Sequence, residues 1–249
     1  MDLGLEGRVA IVTGASRGLG RAAAVALAAE GAHVLGVART TGDLASLAAS
    51  DPQRIAVAAC DMRDTAQVAA LPAQAIERFG RVDVVVNNAG IAPAASFAEQ
   101  DWQVWNEVLA VNVTAPAVLA QAAGRHFIAQ RSGKVINIAS TSGVRGKPSL
   151  VAYSTSKGAL VRFTEALSGE WARHGIQVNT IAPGAFDTVA QAAVTGSPEV
   201  LEKRVRKIPA RRMGEVGEFG PLVAFLASPL AEFITGATYV IDGGEVAKL

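Results

Sequence analysis

The chain is poor in residues that form disulfides or bind metals. Its 249 residues include one cysteine and three histidines. A single cysteine, Cys60, excludes a disulfide within the chain, and we interpret it as a small core residue. The histidines, His33, His126 and His174, are far apart and lack metal-ligand spacing, so no metal site is predicted.

An excess of charge of one sign is also absent. There are 23 Lys and Arg residues against 22 Asp and Glu residues, and no basic block indicates nucleic-acid binding. We interpret the densest positive stretch, "EKRVRK" at 202–207, as a solvated helix face. No basic segment followed by an apolar run opens the chain, and no uncharged apolar run reaches about 18 residues. We therefore expect a cytoplasmic protein with no signal segment and no membrane contact.

Short runs rich in Val and Ile alternate with stretches that have helical spacing. These runs lack alternation with period two, which is typical of parallel strands buried on both faces. Strands followed by helices predict an α/β fold, namely a single Rossmann-type doubly wound domain over 1–249, with a seven-stranded parallel sheet flanked by helices. Residues 184–215 break the pattern where a substrate lid is expected. The seven predicted strands are 8–14, 32–38, 54–60, 82–88, 133–140, 176–183 and 237–244.

A glycine-rich turn, "TGASRGLG" at 13–20, joins the first strand to the first helix. Gly14, Gly18 and Gly20 allow a tight turn and a close approach to a ligand. The following helix start offers free N–H groups to a pyrophosphate. The spacing differs from the standard Gly-x-Gly-x-x-Gly, and the alternative is a purely structural turn, but the strand–turn–helix context favours dinucleotide binding.

The end of the second strand indicates which dinucleotide binds. An acid in this region suits NAD, whereas an Arg suits the 2′-phosphate of NADP. Here Arg39 follows the strand and Arg17 lies in the glycine turn, so NADP(H) is favoured over NAD(H). The alternative is that both arginines are simply solvated. Asp61, after the third strand, is a candidate partner of the adenine amino group, or else forms an Asx turn or helix cap.

Tyr153 and Lys157 are four residues apart in a helical stretch, although the chain has only two tyrosines. Positions i and i+4 lie on one helix face. A nearby ammonium favours the phenolate, so we expect Lys157 to lower the pKa of Tyr153 and make it an acid/base group. The alternative is an ordinary amphipathic helix with a half-buried Tyr.

Six features occur together in an order that resembles the classical short-chain dehydrogenase/reductase family. They are "TGASRGLG", "NNAG" at 87–90, Asn112, Ser140, "YSTSK" at 153–157 and "PGAFDT" at 183–188. The resemblance covers essentially the whole chain. It implies an NAD(P)(H)-dependent oxidoreductase that interconverts a secondary alcohol and a ketone by hydride transfer.

The resemblance also implies a role for each matching residue. Tyr153 is the general acid/base, Lys157 lowers its pKa and holds the nicotinamide ribose, Ser140 polarises the substrate oxygen, and Asn112 holds a relay water. Thr188 binds the carboxamide, while residues 181–184 line the nicotinamide. The implied cofactor-binding residues are Gly14, Ser16, Arg17, Gly18, Leu19, Gly20, Arg39, Asp61, Met62, Asn88, Ala89, Gly90, Tyr153, Lys157, Pro183, Gly184, Phe186 and Thr188.

Two branches of this family compete for the substrate. The runs "RHFIAQRSGKVINIAS" and "EWARHGIQVNTIAPG" resemble gluconate and deoxygluconate dehydrogenases, which favours a small polar hydroxy or carbonyl compound such as a sugar acid. The alternative is a 3-oxoacyl-acyl-carrier-protein reductase, whose acidic carrier needs basic residues beside the cleft. Arg131 matches one such position, but His174 stands at the other, with Arg125 and Arg173 as substitutes.

Other classes are less consistent with the chain. An epimerase or dehydratase of the extended branch shares Tyr-x3-Lys but has a longer chain. A non-catalytic dinucleotide-binding regulator is expected to lack Ser140, Tyr153 or Lys157. The resemblance further implies a homotetramer, since small residues such as Ala115, Ala120 and Gly158 permit close helix packing between subunits.

Overall fold

Seven parallel strands form one sheet in the computed structural model, which describes residues 2–189, 192 and 196–247. Their spatial order is β3-β2-β1-β4-β5-β6-β7, which confirms the predicted seven-stranded parallel sheet. The strands are β1 Val9–Thr13, β2 His33–Ala38, β3 Ile55–Ala59, β4 Val84–Asn87, β5 Gly133–Ile138, β6 Ile176–Pro183 and β7 Thr238–Ile241.

Helices cover both faces of this sheet. A π-helical turn, Ala110–Thr114, joins α4 to α5 within one continuous helical stretch. The α-helices among the described residues are α1 Gly18–Ala29, α2 Thr41–Ser50, α3 Thr65–Phe79, α4 Trp102–Leu109, α5 Ala115–Gln130, α6 Thr141–Val144, α7 Val151–Trp171, α8 Pro198–Val205 and α9 Gly220–Ala227.

The sheet order reverses between β1 and β4. Strand β1 pairs with β2 on one side and with β4 on the other, so their following connections leave in opposite directions. In open parallel sheets, ligands bind in the crevice that such a reversal opens at the carboxyl ends of the strands. The topology therefore places a binding cleft at the ends of β1 and β4.

The edge strands differ from the prediction that every strand is buried on both faces. The inner strands β1, β4, β5 and β6 are fully buried. Strand β3 instead alternates between buried and more exposed residues, and β7 is only partly buried. The prediction was wrong for these two strands because each is an edge of the sheet and has fewer neighbours to cover it.

Two apolar layers hold the sheet between the helices. On one face the apolar layer contains Phe219 and lies between the sheet and helices α1 and α9. On the other face it contains Phe127 of α5, and α5 packs beside α3. One helical stretch, Trp102–Gln130, is apolar and long enough by composition to cross a membrane, with a mean hydropathy of 1.2 in its best window. Half of that window is buried inside the protein, as in a core helix.

The amino end of the sheet contains an ion cluster around the buried carboxylate of Asp83. Asp83, before β4, accepts hydrogen bonds from Arg81 and Arg8 and from the N–H of Val9 at 2.9 Å. Nearby, Lys134 is the second residue of β5 and is buried, and its Nζ has no hydrogen-bond partner. Burial lowers the pKa of Lys134 to about 8.

Candidate active site

The glycine turn builds the first wall of the cleft. Gly14 and Gly18 have φ values of +66° and +56°, which residues with a Cβ rarely adopt. At Gly20 a Cβ would lie 2.2 Å from the carbonyl oxygen of Gly14. The N-cap residue of α1, Arg17, makes no side-chain capping bond. The N–H groups at the start of α1 are therefore available to an anion.

The "NNAG" segment after β4 supports this turn. Asn88 donates from Nδ2 to the carbonyl oxygens of Thr13 and Gly14, at 2.9 and 3.3 Å. The hydroxyl of Thr13 accepts from the N–H groups of Asn88 and Ala89. These bonds fix the ends of β1 and β4 against each other at the point where the sheet order reverses.

A cleft of about 920 Å³ runs along the carboxyl end of the sheet. Except for Ile181 and Ala182 of the stretch expected to line the nicotinamide, every residue expected to bind the cofactor lines it, as do Ser140, Tyr153 and Lys157. Asn112 and Ile181 are buried and are not in its lining. Several further residues line the cleft without a sequence signal that predicts it, namely Ala38, Thr40, Cys60, Arg63, Ile91, Ala92, Glu107, Val111, Ile138, Ala139, Ser142, Leu150 and Val189.

A glycine-rich turn, a free helix start and a long cleft fit an extended dinucleotide. The turn and the start of α1 would hold the pyrophosphate, and Tyr153 and Lys157 lie in the same cleft for the nicotinamide half. Arg17 and Arg39 line the cleft as well. No hydrogen bond or ion pair found among the described residues engages either guanidinium. The two arginines are therefore available to a phosphate.

Asp61 is held by Arg63, which is not among the predicted site residues. The guanidinium of Arg63 donates to both carboxylate oxygens of Asp61, the shortest contact being 2.6 Å, and its N–H donates to Oδ1. These bonds lower the pKa of Asp61 to about 2. Arg63 also lies 3.7 Å from Glu107 of α4. The Asx-turn alternative for Asp61 is thus present in the structure, while its contact with adenine stays a prediction.

Ser140 and Tyr153 meet in the cleft. Ser140 is the N-cap residue of α6, and its Oγ accepts from the N–H of Ser142 at 3.1 Å. A hydrogen bond between Ser140 and the Tyr153 phenol lowers the pKa of that phenol, but burial raises it by more. The expectation of a net lowered pKa for Tyr153 was therefore wrong for this structure, because loss of hydration outweighs the nearby polar groups.

Lys157 is buried beneath Tyr153. Its Nζ donates to the carbonyl oxygen of Ile138 at 2.7 Å and lies 5.8 Å from the centre of the Tyr153 ring. Burial lowers the pKa of Lys157 to about 8. The helical spacing therefore brings both groups to one cleft, and the end of β5 fixes the ammonium.

Asn112 lies behind the cleft wall in the π-helical turn. Its Oδ1 accepts from the N–H of Ile91, and its Nδ2 donates to the carbonyl of Ile91 and to the hydroxyl of Ser156. Asn112 is completely buried. All the polar atoms of its side chain are thus used for structure, and its relay water stays a prediction.

The basic residues considered for an acyl carrier lie away from the cleft. Arg131 ends α5 just before β5, and its guanidinium donates to the carbonyl of Arg173, which lies just before β6. His174 accepts from Arg173. The starts of β5 and β6 are at the amino end of the sheet. Parallel strands therefore place Arg131 and Arg173 at the edge opposite the cleft of the same protomer, and the acyl-carrier alternative stays a prediction.

The predicted lid is partly described. Phe186, Thr188 and Val189 line the cleft, and α8 follows. Arg204 of α8 pairs with Glu245 near the end of the chain, and Arg206 pairs with Glu202 on an exposed face. Within 184–215, residues 190, 191 and 193–195 lie outside the described part. No group of three or more metal-ligating side chains occurs in the described ranges.

Comparisons with known proteins agree over almost the whole chain. A family model described as enoyl-(acyl carrier protein) reductase matches residues 14–245. The 2-dehydro-3-deoxy-D-gluconate 5-dehydrogenase of Escherichia coli (strain K12) is 36% identical over 251 residues, covering 98% of this chain and 97% of that protein. A 3-oxoacyl-acyl-carrier-protein reductase of Vibrio harveyi is 33% identical, covering 97% and 98%. The crystal structure of a gluconate 5-dehydrogenase from Burkholderia cenocepacia J2315, in complex with NADP and tartrate, superposes with a TM-score of 0.94 at 34% identity, covering 100% of this chain and 98% of that one.

Proposed function

Because this chain belongs to the short-chain dehydrogenase/reductase family of NAD(P)-dependent oxidoreductases, we propose that it interconverts a secondary alcohol and a ketone, with Tyr153 as general acid and base. The observation that carries the proposal is the meeting of Ser140, Tyr153 and Lys157 in one cleft with the glycine turn. Reduction of a ketone leaves negative charge on one oxygen. A proton donor and a second hydrogen bond at that oxygen are what the reaction needs.

Tyr153 and Ser140 supply these two interactions. The raised pKa of Tyr153 keeps the phenol protonated at neutral pH, so it can give its proton to the substrate oxygen as charge develops there. The Ser140 hydroxyl, oriented by the N–H of Ser142, donates the second hydrogen bond. The bound nicotinamide supplies or accepts the hydride. In the reverse direction Tyr153 accepts the proton of the alcohol.

Lys157 and Asn112 support this proton transfer. The ammonium of Lys157 favours negative charge on the Tyr153 oxygen, and its bond to Ile138 keeps it beneath the ring. Because its pKa is about 8, Lys157 can exchange protons near neutral pH. Asn112 holds the main chain of Ile91 beside the cleft. We propose that a water at this position returns protons to Lys157.

For the substrate we propose a small polar hydroxy or carbonyl compound such as a sugar acid. The E. coli relative bears the name of a deoxygluconate dehydrogenase, and the Burkholderia neighbour that of a gluconate dehydrogenase. The second candidate is a 3-oxoacyl-acyl-carrier-protein reductase, as the Vibrio harveyi relative is named. The distance of Arg131 and Arg173 from the cleft favours the first candidate within one protomer.

For the cofactor we propose NADP(H) in preference to NAD(H). The support is the pair of arginines, Arg17 and Arg39, that line the adenine end of the cleft. A guanidinium matches a phosphate group in charge and geometry. We further propose a cytoplasmic homotetramer, and light scattering at micromolar concentration tests this assembly.

The test is a steady-state absorbance assay of the purified protein. NADP⁺ and NAD⁺ are paired with gluconate and deoxygluconate-type acids, and NADPH and NADH with an acetoacetyl thioester. Turnover of a sugar acid supports the first candidate, and turnover of the thioester alone replaces it by the second. Cofactor binding without turnover of any alcohol or ketone would contradict the catalytic proposal and favour a dinucleotide-binding regulator.

A further inference from the structure

Ser156 joins the two halves of the site from a completely buried position. It lies on α7 between Tyr153 and Lys157, and its side chain is shielded from solvent. Its hydroxyl donates to the main-chain carbonyl of Tyr153 at 2.7 Å. The same oxygen accepts from Nδ2 of Asn112 at 3.0 Å. One hydroxyl therefore connects the catalytic helix to the π-helical turn.

The position of this bond matters because the turn is not regular helix. Ala110–Thr114 places Asn112 where its side chain reaches both the segment after β4 and α7. Such π-helical turns often occur at functional sites. A Cβ at Gly90 would lie 3.2 Å from Oδ1 of Asn112 and 3.3 Å from Nζ of Lys157. Asn112 and Lys157 thus approach the same point of the main chain.

Resting on the proposed function, we propose that Ser156 is a positioning residue for the proton-transfer step. Its hydroxyl fixes the main chain of Tyr153 relative to Asn112, and through Asn112 relative to Ile91 at the cleft. Without that hydroxyl, the first turns of α7 have no polar link to the π-helical turn through Asn112. Tyr153 and Lys157 then lose a fixed position. Because even a small displacement of reacting groups is costly in rate, turnover should fall.

The chain offers a matched control on the same helix. Ser168 is also buried, and its hydroxyl donates to the carbonyl three residues earlier, that of Glu165, at 2.8 Å. Like Ser156, Ser168 donates to a carbonyl oxygen three residues earlier in α7, but its hydroxyl has no bond to Asn112. Comparing Ser156→Ala with Ser168→Ala therefore separates positioning from the general effect of removing a buried helical hydroxyl.

The first measurement is turnover with whichever probe, sugar acid or acetoacetyl thioester, the wild-type protein accepts in the absorbance assay. We expect Ser156→Ala to lower kcat by about 10–100-fold, with the dissociation constant for NADPH within about twofold of wild type and the apparent pKa of the kcat profile shifted. Ser156→Thr keeps the hydroxyl and should restore most of the rate. Ser168→Ala should retain wild-type kcat and pH profile. If Ser156→Ala does not fold, Ser156→Cys, with a weaker donor of similar size, should give an intermediate loss.

The second measurement does not need activity. The chain has two tyrosines, so in a Tyr239→Phe background the ultraviolet titration of the phenol reports Tyr153 alone. We expect Ser156→Ala to move the pKa of Tyr153 down towards its ordinary value, since a loosened turn admits water, whereas Ser168→Ala should not. Ser156→Ala matching Ser168→Ala in both kcat and the Tyr153 titration would overturn the proposal. If no substrate is turned over by wild type, the proposed function fails, and the titration alone still decides whether Ser156 positions Tyr153.

Discussion

Strand β5 has a buried lysine associated with each of its ends, and the two lysines differ in what surrounds them. At the carboxyl end Lys157 donates to Ile138 and faces the Tyr153 ring. At the amino end the Nζ of Lys134 has no hydrogen-bond partner and is attracted only through space by Glu232, although Asp83 beside it binds two arginines. Burial lowers both pKa values to about 8. The pKa shift alone therefore does not identify a catalytic group, and the open cleft beside Lys157 distinguishes it.

The contrast extends to the arginines. At the amino end Arg8 and Arg81 are both bound to Asp83. At the carboxyl end Arg17 and Arg39 line a cleft that can accept a phosphate. Both ends have cations close to buried polar groups. Among the described residues, only the carboxyl end combines them with free helix N–H groups and a cleft of about 920 Å³, which is why we propose the site there.

The largest expected effect is at the carboxyl end. Tyr153→Phe removes the proton donor and should lower turnover by ~10²–10⁴, while NADPH affinity stays close to wild type because the ring is kept. Turnover and fluorescence titration of NADPH measure the two quantities. Tyr239→Phe, on β7, is the matched control and should retain turnover. Near wild-type turnover of Tyr153→Phe would remove Tyr153 from the proton transfer.

Next in size is the effect of Arg39→Ala on the cofactor. Loss of a charge-assisted bond to the 2′-phosphate should weaken NADPH by about 10–100-fold and leave NADH nearly unchanged. Titration with both cofactors measures this ratio. Arg81→Ala, at the amino end, is the control and should change neither affinity. An equal loss for NADPH and NADH would mean that Arg39 does not recognise the 2′-phosphate.

The third effect concerns the two buried lysines, for which the same substitution should be favourable at one end of the sheet and harmful at the other. Lys134→Met replaces a buried ammonium without a hydrogen-bond partner by an apolar side chain of similar length. It should raise the free energy of unfolding by about 1–3 kcal/mol, since the cost of burying this ammonium without a hydrogen bond exceeds its attraction to Glu232. Lys157→Met should instead lower turnover by at least ~10²-fold, as the support of the general acid is lost. Denaturant unfolding and turnover of both variants test the contrast. A destabilised Lys134→Met would show that Lys134 has a stabilising partner.

The smallest effect is on the pH dependence of stability. Both lysines have a folded pKa near 8, below the 10.5 of an ordinary lysine. Between these values the unfolded chain binds more protons than the folded protein, so these groups make stability rise with pH from about 8 to 10.5. The stability difference between Lys134→Met and wild type should therefore shrink from pH 7 to pH 10. A constant difference would place the pKa of Lys134 near its ordinary value.

Much of this arrangement could be predicted from local sequence. The seven strands could be predicted because apolar runs of four to eight residues are recognisable without their neighbours. Tyr153 and Lys157 share a cleft because their spacing alone puts them on one helix face. The glycine turn likewise depends on adjacent residues. In each case the signal is contained within one element.

The rest depends on contacts between distant segments. The pKa of Tyr153 is set by burial, which its neighbours in sequence do not reveal. Asp61 and Arg63 are close in sequence and form a hydrogen-bonded pair. Their residue types alone do not show whether Asp61 binds Arg63 or contacts adenine. The bond from Asn112 to Ser156 spans 44 positions. The exposure of β3 follows from its place at the sheet edge, which the strand itself does not encode.

The π-helical turn also limits how the chain can change in length. Each residue of an α-helix advances the following side chains by about 100° around the axis. The turn at Ala110–Thr114 holds one residue more than regular helix would. Because this wider turn absorbs the extra residue, deleting one residue there would restore a regular helix and leave Phe127 of α5 facing the core. The deletion would instead remove the local geometry that lets Asn112 reach Ile91 and Ser156. A homologous chain one residue shorter in this segment should therefore keep the packing of α5 and lose the contacts of Asn112 with Ile91 and Ser156.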